Sequence, residues 1–277
     1  MKRSVWIAVV SLALIMGACK MDKKEEVTQT PEITKIYVVG EEVTYTTEST
    51  SMRGYLAYDT SIKEKRPGII VVHEWWGHND YTRERARMLA ELGYTALAVD
   101  MYGDGKQANH PDDAGKFSGM VMKNIDEAKA RFKSALELLK SQPSVDSTEI
   151  AAIGYCFGGS VVLTMANAGE DLDAVAAFHS GVQLPIMPNE NLKARVLVCN
   201  GAADPFVSAE SVVAYKAAMD EIGAEYTYIA YEGAQHAFTS KGADSLGQKF
   251  SLPLAYQEKA DKASWEELKL LLNETFK

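Results

Sequence analysis

The sequence predicts an α/β fold, a mostly parallel central sheet with helices on both faces and an antiparallel hairpin at its N-terminal edge. Three observations carry this. Short runs of branched apolar residues alternate with segments of helical period from Ile69 to the C-terminus. The runs break into polar, aromatic or glycine residues, and no internal repeat or linker divides the stretch. Continuous branched runs mark strands covered on both faces, and strands alternating with helices pair in parallel through helical crossovers.

The 277 residues are 47% hydrophobic and 24% charged, which suits one domain with a short extension. A net charge of −9 argues against a nucleic-acid partner. Cys19, Cys156 and Cys199 are too few and too scattered for a disulfide framework or a zinc site, so no metal is expected.

The N-terminus reads as an address. Met1-Lys2-Arg3 precedes an apolar run from Val5 to Met16, short for a permanent membrane helix, and then Gly17-Ala18. Residues 1–18 are therefore expected to be a signal peptide. Ile15-Met16-Gly17-Ala18-Cys19 resembles a bacterial lipobox, which implies lipid on Cys19, the alternative being an ordinary signal peptide cleaved nearby. Residues 19–36 are polar and read as a flexible tether, leaving residues 37–277 as a single domain held near a membrane surface. Lys20, in place of an acidic residue, favours an outer membrane in an organism that has one.

In order, Val38 to Thr47 and Met52 to Tyr58 suit the hairpin. Ile69-Ile70-Val71-Val72 reads as a buried strand ending in His73-Glu74-Trp75-Trp76-Gly77, followed by a helix from Arg83 to Leu92 that Gly93 stops. Tyr94 to Val99 is a strand closing at Asp100-Met101-Tyr102, Gly103 to about Ala114 a loop over the strand ends, and Asn124 to Leu139 an amphipathic helix. Ile150 to Ile153, Ala174 to Phe178, Val196 to Cys199 and Tyr226 to Ala230 are the later strands. Ser211 to Ile222 and Trp265 to Phe276 are the later helices.

Within this frame the stretch Gly154-Tyr155-Cys156-Phe157-Gly158-Gly159 is a strand, a sharp turn and a helix start. It has the G-x-nucleophile-x-G pattern of the α/β-hydrolase elbow, with cysteine as the nucleophile. A strained turn lifts the nucleophile off the sheet and needs neighbours without bulk, and the helix N-terminus behind it favours a thiolate. The same composition suits a buried structural cysteine, so its partners decide. A thiol nucleophile needs a base, and the base an orienting carboxylate, in the chain order nucleophile, acid, histidine. Asp204 and His236, each beyond a strand, meet that order; His73, His78 and His110 precede the nucleophile and do not. The oxyanion donors expected by topology are the backbone N–H groups of Phe157 and Trp75. Trp75 and Trp76 suggest aromatic walls or simple packing, and His179 a pocket residue or a packed one.

These motifs resemble the dienelactone hydrolase family. The matches are the elbow, Gly201 through Asp204 with Pro205-Phe206-Val207, Tyr231 through His236 with Phe238, Glu74 with Gly77, and Asp100-Met101-Tyr102. The resemblance implies a Cys156, His236, Asp204 triad acting on a small ester or lactone through a thioester. It also implies that Glu74 contacts the sulfur at rest. Phe238, in the matched motif, and Trp76 and His179, by their positions at strand ends, are candidates to bind substrate. The resemblance implies no cofactor. One departure stands out: where family members that act on dienelactone carry an arginine shortly after the histidine, this chain has Thr239-Ser240, with Lys241 beyond. A neutral serine cannot pair bidentately with a carboxylate. The alternative function is a non-catalytic surface binding protein on the same fold.

Overall fold

A computed structural model describes residues 36–277. The signal peptide, Cys19 and nearly all of the expected tether lie outside the described residues.

Eight strands form one mixed sheet in the order β1-β2-β4-β3-β5-β6-β7-β8. β1 (Val38–Thr46) and β2 (Ser51–Asp59) make the N-terminal hairpin, with Val38 opposite Asp59 and Thr46 opposite Ser51. β2 also pairs antiparallel with β4 (Thr95–Val99). β3 (Arg66–Val72), β5 (Val145–Tyr155), β6 (Ala174–Phe178), β7 (Arg195–Gly201) and β8 (Tyr226–Tyr231) continue in parallel from β4.

The side-chain period of two divides each central strand between two cores. Ile70 and Val72 of β3 face one layer, where Phe132, Leu136 and Leu139 of α3 (Ile125–Lys140), Val161 and Val162 of α4 (Phe157–Asn167) and Tyr215 and Met219 of α5 (Ala209–Glu221) pack. Ile69 and Val71 face the other, against Ala86, Leu89 and Ala90 of α1 (Asp80–Glu91) and Leu268 and Leu272 of α7 (Glu258–Thr275). All four β3 residues are fully buried, and each such burial stabilises the fold by roughly 1.5–3 kcal/mol. Helices on both faces of a mostly parallel sheet are what the alternation predicts.

Two helices differ from expectation. The segment read as a loop to about Ala114 becomes α2 (Pro111–Lys123). His110 caps it by accepting from the Asp112 N–H at 3.3 Å, Pro111 opens its first turn, and Asp112 and Asp113 complement the positive helix end. α6 (Ala243–Phe250) follows the His236 loop.

From β4 the chain crosses β3 to reach β5, so neighbouring connections diverge at the carboxyl ends of β3 and β5. Such a switch point leaves a crevice outside the sheet. Glu74 and Trp75 follow β3, Cys156 follows β5, Asp204 follows β7 and His236 follows β8.

Candidate active site

Cys156 sits between β5 and α4 with φ 54° and ψ −116°, a strained conformation for a residue with a side chain. Close approach makes the elbow possible. A Cβ on Gly154 would lie 2.1 Å from the Gly158 carbonyl oxygen, and one on Gly158 would lie 2.4 Å from that of Val72. The Cys156 N–H donates to Phe178 O at 2.9 Å, anchoring the turn to β6.

The sulfur lies 3.0 Å from His236 Nε2, and His236 Nδ1 lies 2.7 Å from Asp204 Oδ2. A carboxylate only accepts, so Nδ1 carries the proton in that bond and Nε2 faces the sulfur. Asp204 is held in turn by the Phe206 N–H, which donates to Oδ1 at 2.9 Å. The three sequence-predicted residues thus meet in one hydrogen-bonded line. Burial alone would favour neutral His236. The sulfur's charge and the bonds to Asp204 and Cys156 outweigh it and push the imidazole up to about 10, so the ring readily holds a proton.

The loop after β3 is fixed from below. His73 Nδ1 bonds to Glu74 O while its Nε2 accepts from the Met101 N–H at 3.2 Å, and Tyr102 donates to Trp75 O at 2.9 Å. The Phe157 N–H, in the first turn of α4, has no intrahelical partner, and neither it nor the Trp75 N–H joins the backbone hydrogen bonds of the turns and loops. Phe157, Trp75, Cys156 and His236 line one cleft of about 300 Å³, as the oxyanion assignment requires.

The remaining candidates are arranged differently. Glu74 is 4% exposed and its carboxyl makes no hydrogen bond to the sulfur, whose partner is His236. Its carboxyl is pushed up to about 7 by burial, against the opposing charges of His236 and Arg85. With Trp76, Ser240 and Lys241 it lines a separate cavity of about 950 Å³. Trp76 stacks on Phe250 at 6.0 Å. Phe238 is fully buried against Tyr231 and His179, and His179 is fully buried behind His236, ring centroids 5.4 Å apart; neither lines the cleft. A φ of 40° at His179 and the hydrogen bond between its Nε2 and Thr239 Oγ1 at 2.7 Å accompany this inward placement.

Behind His179 runs a network that sequence reading missed. Thr239 Oγ1 also bonds Tyr81 OH at 2.6 Å, Arg85 Nε donates to Tyr81 OH at 3.3 Å, and the Arg85 guanidinium donates to Thr239 O at 2.7 Å and Asp261 Oδ1 at 2.6 Å. Its members are scattered along the chain, and no local pattern joins them. Also missed is the face of α2 that lines the cleft, Gly115, Ser118, Gly119 and Met122, although the His110-Pro111-Asp112-Asp113 start signal was available.

Relatives share this arrangement of chain. Residues 52–276, a span containing every residue of the site, match the Dienelactone hydrolase family profile. Protein usf of Aquifex pyrophilus is 30% identical over 213 residues, which are 75% of this chain and 90% of that protein. Among solved structures, m3DLH superposes with a TM-score of 0.82 at 36% identity, covering 87% of this chain and 99% of that one. A dienelactone hydrolase-like promiscuous phosphotriesterase from metagenomic libraries gives 0.81 at 33% identity, covering 87% and 100%. On the profile match over residues 52–276 and the likeness to these relatives, the chain is a hydrolase of the α/β-hydrolase fold and belongs to the dienelactone hydrolase family.

Proposed function

We propose that the protein hydrolyses carboxylic esters or lactones through Cys156, His236 and Asp204. The observation that carries this is the continuous line from sulfur to imidazole to carboxylate, 3.0 Å and then 2.7 Å, at a strained elbow open to a cleft. The sulfur attacks the carbonyl carbon, forming a C–S bond, while the thiol proton resides on His236 Nε2. The carbonyl oxygen takes the negative charge and receives the Phe157 and Trp75 N–H groups. Collapse breaks the bond to the leaving oxygen, which takes the proton from Nε2. Water then attacks the thioester, giving its proton to His236; the acid departs and the sulfur regains its proton. Asp204 holds the tautomer throughout.

Glu74 stands close enough to His236 to feel its charge, and a carboxyl pushed up to about 7, roughly half protonated at neutral pH, fits a group that exchanges a proton during the cycle. The test is turnover of small aryl esters. Cys156→Ala is expected to lower kcat by roughly 10³-fold or more, with the circular dichroism spectrum retained. Unaltered turnover in Cys156→Ala, or intact protein with neither turnover nor thiol labelling at Cys156, contradicts the reading and favours a surface binding protein. We further propose export and anchoring through lipid on Cys19, on the strength of the N-terminal sequence.

A further inference from the structure

The cleft at Cys156 is built almost entirely from uncharged groups. Apart from the catalytic sulfur and imidazole it is walled by Trp75, Phe157 and Met122, by the neutral Gln183 and by backbone exposed at glycines. Among the described residues no Arg, Lys, Asp or Glu side chain lines it. The nearby lysines face elsewhere: Lys241 lines the separate cavity with Glu74, and Lys116 lines a groove on another flank of α2. Apart from the His236 imidazole, a carboxylate entering this cleft would meet no cationic side chain, and it would exchange part of its water for apolar walls, which disfavours it on the side away from His236.

The face of α2 that borders the cleft is unusual for a helix. Gly115, Ser118, Gly119 and Met122 recur at helical spacing and all line the cleft. A Cβ at Gly115 or Gly119 would meet nothing within 4 Å, and neither backbone requires a positive φ. Packing therefore does not demand glycine, which is the poorest helix former after proline. The space that the two residues leave opens onto the nucleophile.

Topology assigns that space to one end of a substrate. His236 follows β8 and must reach the leaving oxygen to protonate it. α2 follows β4, on the opposite side of β5 in the sheet, and reaches Phe157 through Phe117 and Tyr102 with ring centroids 5.6 and 5.5 Å apart. The leaving group thus lies toward β7 and β8 and the acyl group toward α2.

Resting on the ester-hydrolase reading, we infer that the cleft takes esters with an uncharged, apolar acyl group larger than acetyl, seated against the Gly115 and Gly119 face of α2, and rejects those whose acyl group ends in a carboxylate.

The experiment uses the purified full chain and three 4-nitrophenyl esters, the acetate, the hexanoate and the hydrogen glutarate, the last close in length to the hexanoate but ending in a carboxylate. Hexanoate is expected to exceed hydrogen glutarate in kcat/KM by about tenfold or more, and Gly119→Leu to lower the hexanoate-to-acetate ratio of kcat/KM by about tenfold. Gly119→Ala, which favours the helix, checks that the position tolerates a side chain through its melting temperature. Equal or preferred turnover of the hydrogen glutarate, or a ratio unmoved in Gly119→Leu, overturns the inference while leaving the hydrolase intact. Should Gly119→Leu fail to fold, Gly115→Leu takes its place and the ester comparison in the unsubstituted protein still decides. Failure to turn over any of the three esters overturns the hydrolase reading, and this inference with it.

Discussion

Glu74 shows how one buried side chain links chemistry to stability. Its carboxyl is buried at the wall of a cavity, and burial raises it from 4.5 to about 7. With a folded pKa above the unfolded one, the native state binds the extra proton between those values. Its favourable contribution is full below about 4.5 and is lost as pH rises through about 7. Glu74→Gln removes the charge, so the variant is expected to gain stability relative to the unsubstituted protein across that window, by at most ~3 kcal/mol above neutrality. Urea midpoints at pH 4.5 and 8 measure this; a difference that does not grow with pH contradicts it. Cys156, His236 and Asp204 are the opposite case, three residues whose meeting was legible because each follows a strand in a motif of its own. Orientation was not legible. His179 and Phe238 occupy positions beyond strand ends much like those of His236 and Asp204, yet they are wholly buried, His179 against His236 and Phe238 against His179.

The elements were read most accurately where periodicity was strong. β6 spans Ala174–Phe178, as its apolar run predicts, whereas β5 begins at Val145, before a register shift against Pro67 and Gly68 that its polar residues concealed. α2 was concealed because two glycines and a polar N-terminus weaken its apolar period, and α6 because Gly242 caps it without a side-chain hydrogen bond. Between elements, the bonds of the network behind His179 join residues up to 176 positions apart, so no window of sequence displays them. Thr239 is the hinge of that network. Thr239→Val would leave Tyr81 OH and His179 Nε2 buried short of a partner, and is expected to cost about 2–4 kcal/mol in urea unfolding. Turnover should fall as well, because the ring behind His236 loses its tie. Unaltered stability would mean that the network does not hold the site.

For the whole molecule, one sheet between two helical layers brings residues from four strand ends to a single crevice, and the alternation of strand and helix was enough to foresee it. Among the described residues no helix is long and apolar enough to cross a membrane. The proposed attachment is through Cys19. Growth with an alkyne fatty acid is expected to label the full chain and not Cys19→Ser; equal labelling of both would remove the anchor from the account. Activity should not depend on it, since the triad and both expected oxyanion donors lie between residues 74 and 236.

The most direct test concerns the bond between sulfur and acyl group. Protein quenched in acid during turnover of an aryl ester should carry the acyl mass on the peptide containing Cys156, and the adduct should vanish on treatment with hydroxylamine. Turnover at full rate with Cys156 unmodified, or with the acyl group on another residue, would contradict the account.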